Sequence, residues 1–187
     1  MENVVQDNEA DFFVSHSPEL GENVELFREL YKPKIFNNET FSYVDTSSYM
    51  TRHIRHTTMC MFYNRARVFH DFEKYMRNTG EKYDLVVNHR LDVLYYEKLN
   101  YGMFNCPETI NIPNGKDFRH DRWFGINDQF AFGTLEIMRE YMCLYDRIIE
   151  YLNDGSILMG EVLVKHCLDK NKIPVQRFDF DFGIKRV

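Results

Sequence analysis

The densest run of chemically capable side chains is Tyr83-Asp84-Leu85-Val86-Val87-Asn88-His89-Arg90-Leu91-Asp92-Val93. Its apolar stretch, rich in β-branched residues, suits a buried parallel strand. If the strand persists, its period of two puts Asn88, Arg90 and Asp92 on one face. A cation and a carboxylate then sit together at the C-terminal end of a strand, where open α/β sheets bind ligands. The same two residues equally suit an ion pair that closes the strand. A second segment, Trp123-Phe124-Gly125-Ile126-Asn127-Asp128-Gln129-Phe130-Ala131-Phe132-Gly133, places Asp128 between a long aperiodic stretch and an apolar run. Asp128 there serves either a cleft mouth or ordinary Asn-Asp turn chemistry. A third segment holds Gly160-Glu161 and His166. Glu161 and Lys165 are four apart and also suit a surface helix pair.

These residues need elements to hold them. Asp11 to Ser15 reads as a short strand, Glu22 to Tyr31 as a helix with Val24, Phe27, Leu30 and Tyr31 on one face, and Lys34-Ile35-Phe36 as the next strand. Asn37 to Thr51 is polar and turn-rich, hence a loop. From Thr57 to Asn78 the residues Met59, Phe62, Ala66, Phe69, Phe72 and Met76 recur at three- and four-residue steps, which predicts an amphipathic helix. Gly80 supplies its left-handed cap. Thr109 to Ile112 and Gln129 to Phe132 read as strands. A continuous helix is expected over 134–153, another over 158–170, and a last strand with its tail over 172–181. Pro113 to Asp128 lacks periodicity, and loops of that length are more often functional than accidental. Helix, glycine cap and buried strand in succession predict an α/β fold with a mostly parallel central sheet flanked by helices, Leu85 to Val87 lying in an inner strand. With no repeats or linker-like stretches, residues 1–187 read as a single domain.

Composition bounds the function. The chain has 187 residues, 44% hydrophobic, 28% charged and 16% aromatic, with 16 Phe and 12 Tyr. That is globular composition with aromatics enough for both a core and a sugar or base site. A net charge of −6 argues against a general nucleic-acid binder. Arg52, His53, Arg55 and His56 form a local basic exception, in which Arg52 and Arg55 suit a diphosphate, an acceptor charge or a solvated loop. Cys60, Cys106, Cys143 and Cys167 include no C-x-x-C pair, as free thiols in a reducing compartment would. The polar, acidic start and the lack of a long apolar run lead us to expect a cytoplasmic protein with no signal peptide, anchor or membrane span.

Taken together, Tyr83-Asp84, three apolar residues, Arg90-x-Asp92, then Asn127-Asp128-Gln129-Phe130-Ala131-Phe132-Gly133 with a helix, then Glu161 on a helix before a final strand, resemble small GT-A glycosyltransferases of bacteria and large DNA viruses. The resemblance spans Asp11 to Arg177. It implies a nucleotide-sugar donor and a glycan or other hydroxyl acceptor. It assigns Asp92 to a divalent metal (Mn²⁺ or Mg²⁺) on the donor diphosphate, Asp128 to catalysis near the acceptor, and Arg90, Asn88, Glu161 and His166 to donor binding. The chemistry is consistent: a metal and a cation stabilise the leaving diphosphate, and a carboxylate takes the acceptor proton if the reaction inverts. Arg90-Leu91-Asp92 offers one carboxylate where the family motif has two, so a second ligand would come from His89, His166 or water. Asp179-Phe180-Asp181 matches the motif literally but has no following sheet, and short motifs are often false.

Such folds begin with a strand and glycine loop that grip the base. The elements at Phe12 to Val14 and Lys34 to Phe36 match the second and third strands. The expectation is therefore an N-terminally incomplete domain that binds donors worse than millimolar and self-associates through an exposed strand edge. Two alternatives are a non-catalytic remnant or interaction module of the same fold, and a metal-dependent nucleotidyltransferase.

Overall fold

The computed structural model describes residues 10–15, 24–38, 44–49, 55–90, 92–99 and 106–184. In chain order the elements are β1 (Phe13–Ser15), α1 (Val24–Tyr31), β2 (Ile35–Asn37), α2 (Arg55–Thr79), β3 (Val86–His89), β4 (Val93–Tyr95) and β5 (Ile110–Pro113). There follow β6 (Phe118–His120), β7 (Trp123–Gly125), β8 (Phe130–Gly133), α3 (Leu135–Met142), a 3₁₀ helix (Cys143–Arg147), α4 (Ile148–Asn153), α5 (Gly160–Lys170), β9 (Val175–Phe178) and β10 (Phe182–Ile184). They divide into two compact units. A helical unit takes the described residues of Ala10–Lys82 and Met142–Met159; a sheet unit takes those of Tyr83–Tyr141 and Gly160–Val187.

In the helical unit, β1 and β2 pair in parallel, Phe13 opposite Ile35, across the α1 connection. The predicted stripe of α2 is its buried face: Met59, Phe62, Ala66, Phe69 and Phe72 are all lost to solvent. Spacing of three and four places them one above another on the helix, so burial follows from sequence period. Gly80 takes a φ of 76°, and its N–H donates to the Met76 carbonyl at 2.8 Å, capping the helix. Phe13 packs edge-on against Phe72, ring centroids 4.8 Å apart. Side-chain bonds fix the same junction, Ser15 Oγ to Asn64 Oδ1 at 2.9 Å and Asn37 Nδ2 to Asp71 Oδ2 at 2.7 Å. In α1, the expected buried face leaves Leu30 exposed. Of the basic cluster, Arg52 and His53 lie outside the described residues.

The sheet unit corrects the expected fold class. Its largest sheet has four strands in the order β3-β8-β5-β9. β3 and β5 both run antiparallel to β8, and only β5 and β9 are parallel. The sheet is mostly antiparallel, not a mostly parallel sheet flanked by helices. β3, expected inside, is an end strand, while β8 takes the interior. An unbroken apolar run such as Phe130-Ala131-Phe132 is buried on both faces wherever it lies centrally, so it carries no information on strand direction.

Three further differences matter. The helix expected over 134–153 is broken by the 3₁₀ segment between α3 and α4. The aperiodic stretch after Pro113 contains a hairpin, β6 paired antiparallel to β7. The tail after β9 forms β10, which pairs antiparallel with β4. There Phe180 and Phe182 pack with Tyr95, Phe130 and Phe132 in an aromatic core, and Phe178 closes on it. None of the four cysteines is in a disulfide. Among the described residues, no helix is long and apolar enough to cross a membrane.

Candidate functional site

β3 ends at His89, so the expected alternation does not carry through to Asp92. Asp92 lies in a turn instead, and the Val93 N–H donates to the Arg90 carbonyl at 3.3 Å. The turn brings Arg90 back onto Asp92. Nε donates to Oδ1 at 2.9 Å and Nη2 to Oδ2 at 2.7 Å, a bidentate pair. Nη1 is not engaged by Asp92. Asn88, one pair before the strand's end, lies opposite Ala131 of β8 and is buried, its Nδ2 lacking a hydrogen-bond partner.

Asp128 is held from three sides. Asn127 Oδ1 accepts the Gln129 N–H at 2.9 Å, forming an Asx turn about it. The Asn127 N–H donates to Asp117 Oδ1 at 3.0 Å. Tyr141 Oη donates to the Asp128 carbonyl at 3.2 Å. The carboxylate residue itself is 7% exposed.

Glu161 reaches the same place from the first turn of α5. Gly125, at the end of β7, abuts that turn so closely that an added Cβ would stand 2.4 Å from the Glu161 carbonyl carbon. The Ile126 N–H donates to the Glu161 carbonyl at 3.1 Å. The absence of a side chain at Gly125 is therefore what lets the hairpin set the position of Glu161.

The charges feel one another. The bonds to Asp92 raise the Arg90 pKa first; burial opposes this, and the charges of Asp92, Asp128 and Glu161 add to the rise. Burial raises the Glu161 pKa; Asp128 and Asp117 raise it further, while Arg90 lowers it. Burial drives His89 down from 6.5 to about 4, against a backbone hydrogen bond that raises it. Its Nδ1 lies 3.0 Å from the Arg90 carbonyl, an acceptor only, so Nδ1 carries the proton in the neutral ring.

Arg90, Asp128 and Glu161, from three separate segments, thus act on one another through their charges, and Asp92 joins them through its bonds to Arg90. His166, half-buried further along α5, is not among the principal charges acting on them. Asp179 and Asp181 alternate with the core phenylalanines and face solvent. They serve as acceptor for Asn114 Nδ2 at 2.7 Å and as backbone donor to Glu97 at 2.6 Å.

Two residues were not anticipated. Asp117 accepts from Arg177 Nη2 at 2.9 Å, and the same Nη2 reaches the Pro113 carbonyl at 2.7 Å. Together they brace the loop under Asp128. The signal for this loop is Asn114-Gly115-Lys116-Asp117, where Gly115 and Lys116 both take positive φ, 79° and 56°.

A divalent ion fits this arrangement poorly. Both oxygens of Asp92 are committed to Arg90, and among the described residues no three His, Cys, Asp or Glu ligand atoms converge around Asp92. No protein-family model matches the chain, and no curated protein matches it in sequence.

Proposed function

We propose that the sheet unit transfers a sugar from a nucleotide-sugar donor to a hydroxyl acceptor. The observation that carries this reading is that the Ile126 N–H bonds to the Glu161 carbonyl, which sets the Asp128 segment beside Glu161, and that the charge of Arg90 acts together with both carboxylates. The resemblance of the same three segments to GT-A glycosyltransferases supports it from the sequence side.

In this reading Asp92 is a positioning residue. By occupying Nε and Nη2 it orients the guanidinium and leaves Nη1 to meet the diphosphate. As the bond from the anomeric carbon to the diphosphate oxygen breaks, negative charge grows on that oxygen, and Arg90 stabilises it. The acceptor oxygen forms the new bond to the same carbon and passes its proton to Asp128, held rigidly by its turn. Glu161, its pKa raised by burial, is suited to hydrogen-bond a donor hydroxyl. Asn88, buried with an unpartnered Nδ2 on the strand that leads to Arg90, is the remaining donor-binding candidate. Mn²⁺ or Mg²⁺ would first have to take Asp92 from Arg90, so in this reading Arg90 supplies the charge that faces the diphosphate.

The closed Arg90–Asp92 pair favours a second reading, a non-catalytic interaction module, in which the pair is structural. Calorimetry with a panel of nucleotide-sugars, with and without Mn²⁺, separates the two. Donor binding that is lost in Arg90→Ala supports transfer; no heat with any donor, with or without the ion, overturns it.

A further inference from the structure

The helical unit carries a second cluster, unrelated to the site above. We propose that His70, Cys143 and Asp146 bind a Zn²⁺ ion. An imidazole nitrogen, the Cys143 sulfur and an Asp146 carboxylate oxygen all lie within 4.8 Å of one another. His70 stands on α2, and Cys143 and Asp146 stand on the 3₁₀ helix.

The 3₁₀ geometry aligns two of the three ligands. With three residues per turn, side chains at i and i+3 eclipse. Cys143 and Asp146 are three apart, so they stack on one face of that helix. Packed against α2, the stack meets His70, whose Nε2 is 2.8 Å from Asp146 Oδ2. In the α-helix expected here the two side chains would share a face but stand about 60° apart around the axis, less closely aligned than in the 3₁₀ turn.

The donor set selects the ion. One thiolate, one imidazole and one carboxylate are the ligands that Zn²⁺ takes, whereas Mg²⁺ and Ca²⁺ require oxygen. Tetrahedral Zn²⁺ at about 2.0–2.3 Å from each ligand holds them about 3.5 Å apart, within the spread found here. His70 and Asp146 side chains are 52% and 44% exposed, which leaves solvent access for a fourth, water ligand.

A Cys-His-Asp catalytic relay is the competing arrangement. A relay sets sulfur and carboxylate on opposite nitrogens of the ring, with the imidazole between them. Here sulfur and carboxylate lie close to each other as well as to the ring, the arrangement of a chelate. Binding would clip α2 to the 3₁₀ helix and stabilise the helical unit by mass action.

The test uses the full chain, reduced and stripped with a chelator, then titrated with Co²⁺ as a spectroscopic substitute and with Zn²⁺ in competition. The expected result is a near-ultraviolet sulfur-to-cobalt charge-transfer band that Zn²⁺ removes. Cys143→Ala should abolish the band. His70→Gln and Asp146→Asn should each weaken Zn²⁺ by more than the roughly 10–100-fold that losing an outer-shell partner costs. Cys60, whose sulfur lies 3.4 Å from His56 Nε2, is the internal control, and Cys60→Ala should leave the band intact. On the unaltered protein, Zn²⁺ should slow alkylation of Cys143 more than that of Cys106, read by mass spectrometry. A chain that gives no sulfur band, a band that survives Cys143→Ala or follows Cys60, or alkylation of Cys143 unaffected by Zn²⁺ overturns the proposal.

Discussion

The two units of this chain organise polar groups in opposite ways. In the helical unit three of the side chains that bond across elements, Asn64, His70 and Asp71, project from α2. In the sheet unit the candidate residues Arg90, Asp92, Asp128 and Glu161 stand where elements begin or end, at the turn after β3, the Asx turn before β8 and the first turn of α5. The α2 face presents its groups to remote segments, at Ser15, Asn37 and Asp146, whereas the turns of the sheet unit fold near neighbours onto one another, Arg90 onto Asp92 and Asn127 onto Gln129. In the sheet unit charges of both signs, on Arg90, Asp128 and Glu161, act on one another under partial burial.

The comparison is broken first at the cores. Phe62→Ala in the helical unit and Phe132→Ala in the sheet unit should each cost about 3–5 kcal/mol, read from urea midpoints, since both rings are fully buried. A loss below about 1 kcal/mol at either site would mean that its ring is not packed as described.

Gly125→Ala tests how the sheet unit is held. Its Cβ would meet backbone at 2.4 Å, which cannot swing aside as a side chain can. The expected loss is about 3 kcal/mol, the upper end of ordinary overpacking, with donor binding reduced because Glu161 moves. Unchanged stability would show that β7 and α5 are not in register as seen.

Arg90→Ala and Asp92→Asn sharpen the functional half. Both side chains are more than a third exposed, at 36% and 38%, so their pair adds at most about 1 kcal/mol of stability. Donor affinity should nonetheless collapse in the first and fall in the second, while Asp179→Ala and Asp181→Ala change little. Loss of binding through Asp179 or Asp181 instead would move the site to the tail.

The smallest effect expected is a pH dependence. The unfolded chain protonates His89 near 6.5 and the folded chain only near about 4, so stability falls as pH drops through that window and returns as pH rises. Glu161 works with the opposite sign, because its raised pKa lets the folded state bind the proton more readily. Denaturation curves for His89→Gln should be flatter between those two pH values than for the parent. Equal slopes would mean that His89 is solvated.

Much of the helical unit was legible in the sequence, because its information is local. The α2 stripe from Met59 to Phe72 and the Gly80 cap follow from spacing within one helix, as does the β1-α1-β2 order. In the sheet unit Asn88, Arg90, Asp92, Asp128 and Glu161 were each visible as residues able to do chemistry, and four of the five prove to be electrostatic neighbours. The turn that joins Arg90 to Asp92 was not visible, since period two extended the strand past His89. Asp117 and Arg177 were missed because sixty residues separate them.

By itself, then, the sequence determined which segments are amphipathic, which are buried and which side chains carry charge, since each of these depends on neighbours within a turn or two. Only the tertiary structure decided strand direction, the central place of β8, the 3₁₀ break that stacks Cys143 on Asp146, and which carboxylates reach Arg90. Those outcomes depend on pairing between segments far apart in the chain, where loop closure and register choose among arrangements that have the same local pattern.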